Sequence, residues 1–323
     1  MIISKTPYRI PLTGGGTDID FYYKKKTGHI CSVAINQYVY VLLRERDIDN
    51  NYLIQTTSTE FKNKIDDIRH KLIKETLKFF KVTEKVHVGT YSTVPTKTGL
   101  GTSSAMVVGL INCINKYKKL KLSNKQIYKY AYIIERKICN YHGGWQDQIV
   151  SQYGGFVEIK INKKEKIIVK KFKKNTKLNN IIKKNFVLVY SKQKRDSSKV
   201  ILSQKKKANS IIQYYDKIKS LNKEFLKNLN DGNIDKIGKI FDFHWNLKKK
   251  LSDNITNKKL NLFYKYLMEN FEFSGGKLIG AGGGGFFLMS LKNQKKVINE
   301  LKLQNINYIK LDVENKGSHI IEN

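Results

Sequence analysis

The sequence predicts an α+β protein, with helices packed on one face of mixed or antiparallel strands. Residues 30–46 are rich in β-branched and aromatic side chains, and Val39, Val41 and Leu43 alternate with Tyr38, Tyr40 and Leu42. Helical periods dominate residues 197–229, 234–251 and 258–271. Short strand-like runs stand before and after these helices rather than alternating with them one by one.

Taken in order, residues 2–10 read as a strand and residues 30–46 as a longer one. Residues 60–80 read as an amphipathic helix on Ile65, Ile68, Leu72 and Leu77. Residues 86–94 return to strand, and residues 103–118 and 124–139 are helices. A hairpin joins 156–161 to 167–172 around Asn162-Lys163-Lys164-Glu165. The Lys- and Asn-rich stretch 173–184 marks a lobe boundary, so two lobes are expected, 1–175 and 176–323. Residues 186–190 read as a buried strand ahead of the three long helices. Strands at 277–279 and 286–291, a helix at 294–303 and strands at 308–311 and 319–321 close the chain. At 323 residues the chain is long enough for a large core.

No stretch approaches the roughly 20 apolar residues of a membrane span. Met1-Ile2-Ile3-Ser4-Lys5 lacks the long apolar segment of a signal peptide, so a cytoplasmic protein without a membrane partner is expected. Cys31, Cys113 and Cys139 have no metal-ligand spacing and read as reduced, buried thiols. His29, His70, His87, His142, His244 and His319 likewise show no such spacing and read as structural. The net charge of +34 invites a nucleic-acid reading. The excess is Lys, however, with Arg only at 9, 44, 46, 69, 136 and 195. Bidentate recognition leans on Arg, so specific nucleic-acid binding is not expected, while anionic small molecules are favoured.

Three glycine-rich turns carry the chemistry. Pro95-Thr96-Lys97-Thr98-Gly99-Leu100-Gly101-Thr102-Ser103-Ser104-Ala105 joins a strand to a helix. Backbone N–H groups and the positive end of the helix dipole suit a phosphate there, and the hydroxyls suit phosphate oxygens or Mg²⁺; a helix cap is the plain alternative. The spacing fits neither a Walker loop nor a dinucleotide fingerprint. The second turn is Pro7-Tyr8-Arg9-Ile10-Pro11-Leu12-Thr13-Gly14-Gly15-Gly16-Thr17-Asp18, and the third is Lys277-Leu278-Ile279-Gly280-Ala281-Gly282-Gly283-Gly284-Gly285-Phe286. Read from the residues alone, Glu135 is a surface carboxylate beside Arg136 or a metal ligand. Asp147 is a helix N-cap or a catalytic carboxylate.

These turns, in this order, resemble the three motifs of the GHMP kinases (galactokinase, homoserine kinase, mevalonate kinase, phosphomevalonate kinase), nearly from end to end. Within that superfamily the chain looks most like the bacterial D-glycero-D-manno-heptose 7-phosphate kinases. The residues behind the narrower match are Gly14-Gly15-Gly16-Thr17-Asp18, Ala34-Ile35 with Tyr38-Val39-Tyr40-Val41, Gln146-Asp147-Gln148, Tyr153-Gly154-Gly155 and Gly275-Gly276-Lys277. The resemblance implies a two-lobed fold. Its N-terminal lobe is like the second domain of ribosomal protein S5, its C-terminal lobe is ferredoxin-like, and the active site lies between them.

The resemblance also implies roles. Gly99, Leu100, Gly101, Thr102, Ser103 and Ser104 wrap the ATP phosphates, and Gly282, Gly283 and Gly284 of the third motif steady them. Ser103 and Glu135 match the Mg²⁺ ligands. Asp147, twelve residues after Glu135, matches the catalytic aspartate, and Arg9 matches its basic partner. Asp18 matches a sugar-hydroxyl ligand within the substrate turn Gly15, Gly16, Thr17 and Asp18. Lys194 and Arg195, ahead of a helix start, suit the phosphate of a sugar phosphate. Lys97 stands where many relatives have Gly, and either strains the turn or helps hold phosphates. Trp145 stands where relatives often have Lys, which bears on the sugar pocket. The expected activity is ATP- and Mg²⁺-dependent phosphorylation of the anomeric hydroxyl of D-glycero-D-manno-heptose 7-phosphate, toward activated heptose for surface polysaccharide. An anomeric kinase of another sugar, fucose- or galactose-type, and a catalytically silent sugar and ATP sensor are the rivals.

Overall fold

The computed structural model describes residues 1–47, 49–173, 176–193 and 197–321. Strand β1 (Ile2–Thr13) passes through a turn and the short helix α1 (Asp20–Tyr23) into β2 (Gly28–Glu45), its antiparallel partner. The register slips between Pro7 and Tyr8 and between Pro11 and Thr13. Each slip lies at a proline, which has no N–H for the ladder. The alternation read in residues 38–43 survives: Val39, Val41 and Leu43 are buried in the core.

Residues 60–70 depart from the expected helix. In place of the expected helix over 60–80 stand the end of β4 (Thr59–Lys62), which pairs with β3 (Tyr52–Gln55), a 3-10 turn at Ile65–Asp67 and a shorter helix α2 (Lys71–Phe79). The mixed apolar steps of Ile65 and Ile68 belong to that turn. The helix begins only where the His70 side chain accepts from the Ile73 N–H. After β5 (Val86–Ser92) come α3 (Thr102–Tyr117) and α4 (Asn124–Tyr132), the latter started by a Ser123/Gln126 capping box. A π-helical turn, Ile133–Ile138, extends α4. Helix α5 (Gln146–Tyr153) precedes the hairpin of β6 (Phe156–Ile161) and β7 (Ile167–Lys171).

The stretch expected to be a boundary holds helix α6 (Thr176–Asn185), and residues 174 and 175 beside the expected division lie outside the described ones. Beyond it run β8 (Phe186–Tyr190), α7 (Ser197–Lys206), α8 (Ala208–Asp231), α9 (Ile234–Lys249) and α10 (Lys258–Asn270). The chain ends with β9 (Phe273–Leu278), β10 (Phe286–Leu291), α11 (Gln294–Leu303), β11 (Tyr308–Lys310) and β12 (His319–Ile321).

Two sheets result. The first has the order β12-β1-β2-β5-β3-β4, with β6 also paired to β2 and β7 to β6. The second is β11-β8-β10-β9, antiparallel throughout. The last strand thus returns to the first sheet, pairing Ile3 with Ile321. The larger hydrophobic core runs from Tyr8 and Ile10 through Ile111 and Phe186 to Trp245 and Phe287, spanning both sheets, while a second cluster packs Ile149 and Val150 of α5 with Val157 and Ile159 of β6. All three cysteines are buried and free. No helix among the described residues is long and apolar enough to cross a membrane.

Candidate active site

The three glycine-rich turns meet around one cavity of about 1050 Å³. The 99–104 turn leads from β5 into α3. Gly99 and Gly101 take φ of 96° and 78°, a region that favours glycine. Gly99, Gly101, Thr102 and Ser103 line the cavity, with the N-terminus of α3 opening onto it. That arrangement suits an anion. Leu100 is instead fully buried in the core. Lys97 takes a left-handed φ of 62°, the conformation a glycine adopts at less cost, and it stands exposed at the cavity wall.

An arginine on β1 ties this turn to a carboxylate. Arg9 donates from Nε to Asp147 Oδ1 at 2.7 Å, and its Nη2 lies 2.6 Å from the same oxygen. Its Nη1 donates to Gly99 O at 2.7 Å, and its backbone N–H to Leu100 O at 3.2 Å. A Cβ on Gly101 would lie 3.4 Å from both Arg9 and Asp147. The ion pair therefore sits directly against the phosphate-type turn.

Glu135 lies in the π turn after α4 and is fully buried. Such turns recur at functional sites. Its Oε1 accepts from Ser103 Oγ at 3.0 Å, and its Oε2 from Ser104 Oγ at 2.6 Å and from Gln148 Nε2 at 2.5 Å. Arg136 Nη1 stands 3.6 Å from Oε1. Of this group Ser103 and Arg136 reach the cavity wall.

Asp18 approaches α5 from the other side. It is 1% exposed. Its Oδ2 accepts from the Gln146 N–H at 2.9 Å, at the first turn of the helix that carries Asp147. Burial, reinforced by the charge of Asp147, pushes its carboxyl up to about 6. A Cβ on Gly144 would fall 2.1 Å from the Asp18 carboxylate, so glycine permits this approach. Gly15, Gly16 and Asp18 line the cavity. Thr17 does not: its Oγ1 donates to Gly14 O at 2.8 Å and accepts from the His29 N–H at 3.0 Å, which locks the turn onto β2.

The family model for the GHMP kinases N terminal domain matches residues 69–155. A D-glycero-alpha-D-manno-heptose 7-phosphate kinase of Campylobacter jejuni is 30% identical over 311 residues, 91% of each chain. The chain belongs to the GHMP kinases. A mevalonate kinase of Methanocaldococcus jannaschii is 27% identical over 76% of each chain. A D-glycero-D-manno-heptose 1-phosphate kinase of Bacteroides thetaiotaomicron shares the fold at a TM-score of 0.83 and 23% identity, covering 100% of this chain and 99% of that one. Galactokinase of Lactococcus lactis, complexed with galactose, does so at 0.75 and 12% identity over 98% and 94%. The α+β fold of two sheets is thus that of the GHMP kinases.

In this GHMP kinase the third turn contributes Gly280 and Ala281 to the cavity wall, whereas Gly282, Gly283 and Gly284 stand behind it. The Gly283 N–H donates to Ile255 O at 2.8 Å, and a Cβ on Gly284 would meet Gln193 O at 2.5 Å. Lys194 and Arg195 lie outside the described residues. Trp145 is not in the cavity wall; it stacks on Tyr132 with ring centroids 3.4 Å apart.

Sequence reading overlooked the opposite wall. Lys277, His244 and Lys248 line the cavity there. Lys277 is 2% exposed; its Nζ donates to Leu12 O at 2.6 Å and stands 3.3 Å from His244 Nδ1. Burial pulls the Lys277 ammonium down to about 7. His244, read above as structural, is held well below its usual range by burial and by the charges of Lys277 and Lys248. One sequence signal was available: His244 and Lys248 are four residues apart on one helix and so share a face.

Proposed function

We propose that the chain is an ATP- and Mg²⁺-dependent sugar kinase that phosphorylates the anomeric hydroxyl of D-glycero-D-manno-heptose 7-phosphate to the 1,7-bisphosphate. The observation that carries the reading is the Arg9–Asp147 pair, joined to the 99–104 turn through Gly99 O and set across from Asp18. Phosphoryl transfer is mostly positioning and charge stabilisation, and this group offers both. The 30% identity with the Campylobacter enzyme over 91% of both chains supports heptose phosphate as the acceptor.

In this reading Gly99, Gly101, Thr102 and Ser103 hold the ATP phosphates, while Ser104, expected to join them, is buried and donates to Glu135. Asp18, with Gly15 and Gly16, receives the sugar hydroxyls. Asp147 receives the proton of the attacking hydroxyl at Oδ2, which has no hydrogen-bond partner among the described residues, while Arg9 keeps Oδ1 and the turn in place. The Ser103 hydroxyl and Glu135 carboxylate fit a hard cation. Both are oxygen donors 3.0 Å apart, and Mg²⁺ takes few protein ligands, with phosphate and water oxygens completing its shell. When bound there, Mg²⁺ neutralises charge on the ATP phosphates. Residues 1–175 supply these contacts and residues 176–323 the facing wall. The setting is cytoplasmic supply of activated heptose.

The test is ADP release over a panel of sugars and sugar phosphates. Heptose 7-phosphate should give the highest kcat/KM. A faster reaction with free fucose or galactose moves the assignment to a kinase of unphosphorylated sugars, and ADP release with no acceptor in the panel removes it.

A further inference from the structure

We propose that Lys277, His244 and Lys248 form an anion subsite that holds the phosphate carried by the acceptor sugar. The inference rests on the sugar-phosphate reading above and names the residues that would enforce it.

All three side chains belong to the wall built from α9 and β9, and all three line the cavity. Lys277 has three N–H donors and spends one on Leu12 O and one on His244 Nδ1. Serving Nδ1 as an acceptor leaves the His244 ring proton on Nε2, which has no hydrogen-bond partner among the described residues. Lys248 Nζ donates to Leu278 O at 2.8 Å and Gly280 O at 2.6 Å, which fixes its head beside the third turn. No carboxylate of the described residues lies within salt-bridge distance of Lys277 or His244. Buried cations are usually paired, so Lys277 and His244, each with a donor left over at the cavity wall, call for an anionic ligand.

The place of the cluster selects the acceptor over the nucleotide. Lys277 is docked on Leu12 O, two residues before the turn whose Gly15 and Gly16 line the acceptor side. Arg9, beside the phosphate-type turn, lies three strand steps back along β1, about 10 Å. That is roughly the reach of a seven-carbon sugar from its anomeric oxygen to a phosphate at its far end. Binding energy from the far phosphate can then align the reacting hydroxyl.

The groups facing Lys277 are His244 and Lys248 on α9, the ring of Phe241 at 5.4 Å on the same helix, and the Cys31 thiol on β2. Burial pushes that thiol up to about 12, so it stays neutral and does not compete with phosphate. With Lys277 near 7 in the empty site, its charge is lost above neutrality, whereas a phosphate monoester is already dianionic there.

The experiment measures kcat/KM for heptose 7-phosphate and for free heptose in the parent, in Lys277→Met and in His244→Phe, with KM for ATP alongside. The ratio of phosphorylated to free sugar should fall about ten- to a hundredfold in Lys277→Met and also fall in His244→Phe. In the parent, KM for the phosphorylated sugar should rise between about pH 7 and pH 9 without a matching rise for the free sugar. If Lys277→Met does not fold, His244→Phe and the parent's pH profile still decide. A merely structural role lowers both sugars alike and leaves the ratio unchanged, which overturns the proposal. An unchanged ratio with a raised KM for ATP also overturns it, and assigns the cluster to the nucleotide. A parent that uses both sugars equally overturns the subsite while leaving the kinase reading intact; failure with every sugar overturns both.

Discussion

Replacing Asp18 with Asn should stabilise the protein at alkaline pH while impairing its use of the acceptor. Asp18 is buried, and its ring of donors is short: the Gln146 N–H at 2.9 Å and Gln146 Nε2 at 3.4 Å, with no cation in contact among the described residues. Burial and the neighbouring Asp147 charge raise its carboxyl from 3.8 to about 6. Two pKa units correspond to about 3 kcal/mol. The sign follows from linkage. The folded state favours the protonated carboxyl, so the parent gains stability from that form below about pH 4. It loses this stability as pH rises through about 6, and lacks all of it by about pH 8. Asn keeps the shape without the charge. Its carbonyl can accept the Gln146 N–H, and its amide can donate to Gln146 Oε1, which has no partner now, once that side chain turns over. Thermal unfolding of parent and Asp18→Asn at about pH 8 and pH 4 tests this. The variant should melt a few degrees higher at the upper pH and equally with the parent at the lower one. Its KM for sugar should rise at the upper pH, where the parent carboxyl is ionised. An equal difference at the two pH values, or a lower melting point at about pH 8, refutes the argument that Asp18 is an unpaired buried charge.

Asp147→Asn should retain the fold and ATP binding while lowering kcat by about a hundredfold or more, because the proposed proton acceptor at Oδ2 is lost. Steady-state kinetics beside ATP-dependent thermal shift decide it, and a near-normal kcat removes Asp147 from that role. Glu135→Ala and Ser103→Ala should each raise the Mg²⁺ concentration needed for half-maximal activity more than they raise KM for sugar. Mg²⁺ titrations that overlay the parent's in both variants remove the pair from the metal.

Much of this site could be read from sequence because its signals are local. Gly14, Gly16, Gly99 and Gly101 all take left-handed φ, and a glycine-rich sequence shows such positions directly. The long strands were equally plain, since alternation survives burial on one face. What escaped depends on neighbours far along the chain. The hairpin of β3 and β4 has no clear sequence signal, because short, half-exposed strands carry little periodicity, and the end of β4 falls inside the helix expected over 60–80. The division of labour within each turn escaped too. Thr17 and Leu100 belong to their motifs yet face inward, and only the packing of β2 and the core decides that. The contact of His244 with Lys277, thirty-three residues away, likewise has no local sequence signal.

The two carboxylates at the start of α5 form one electrostatic unit and should not be treated as independent sites. Asp147 lies inside the first turn of the helix and has Arg9 as its cation; Asp18 accepts the Gln146 N–H from outside and has no cation in contact among the described residues. Arg9 lowers the Asp18 carboxyl, but Asp147 raises it by more. Removing the charge of Asp147 therefore acts on Asp18 as well, drawing its carboxyl back toward the ordinary range. In Asp147→Asn the pH below which sugar affinity fails should move down even as turnover collapses. In Arg9→Met it should move up, because the Asp147 charge then acts on Asp18 unopposed. Opposite shifts in the pH profile of sugar binding, measured for the two variants, are the signature of a coupled pair. A pH profile that stays fixed in both would mean that each acid answers only to its own surroundings.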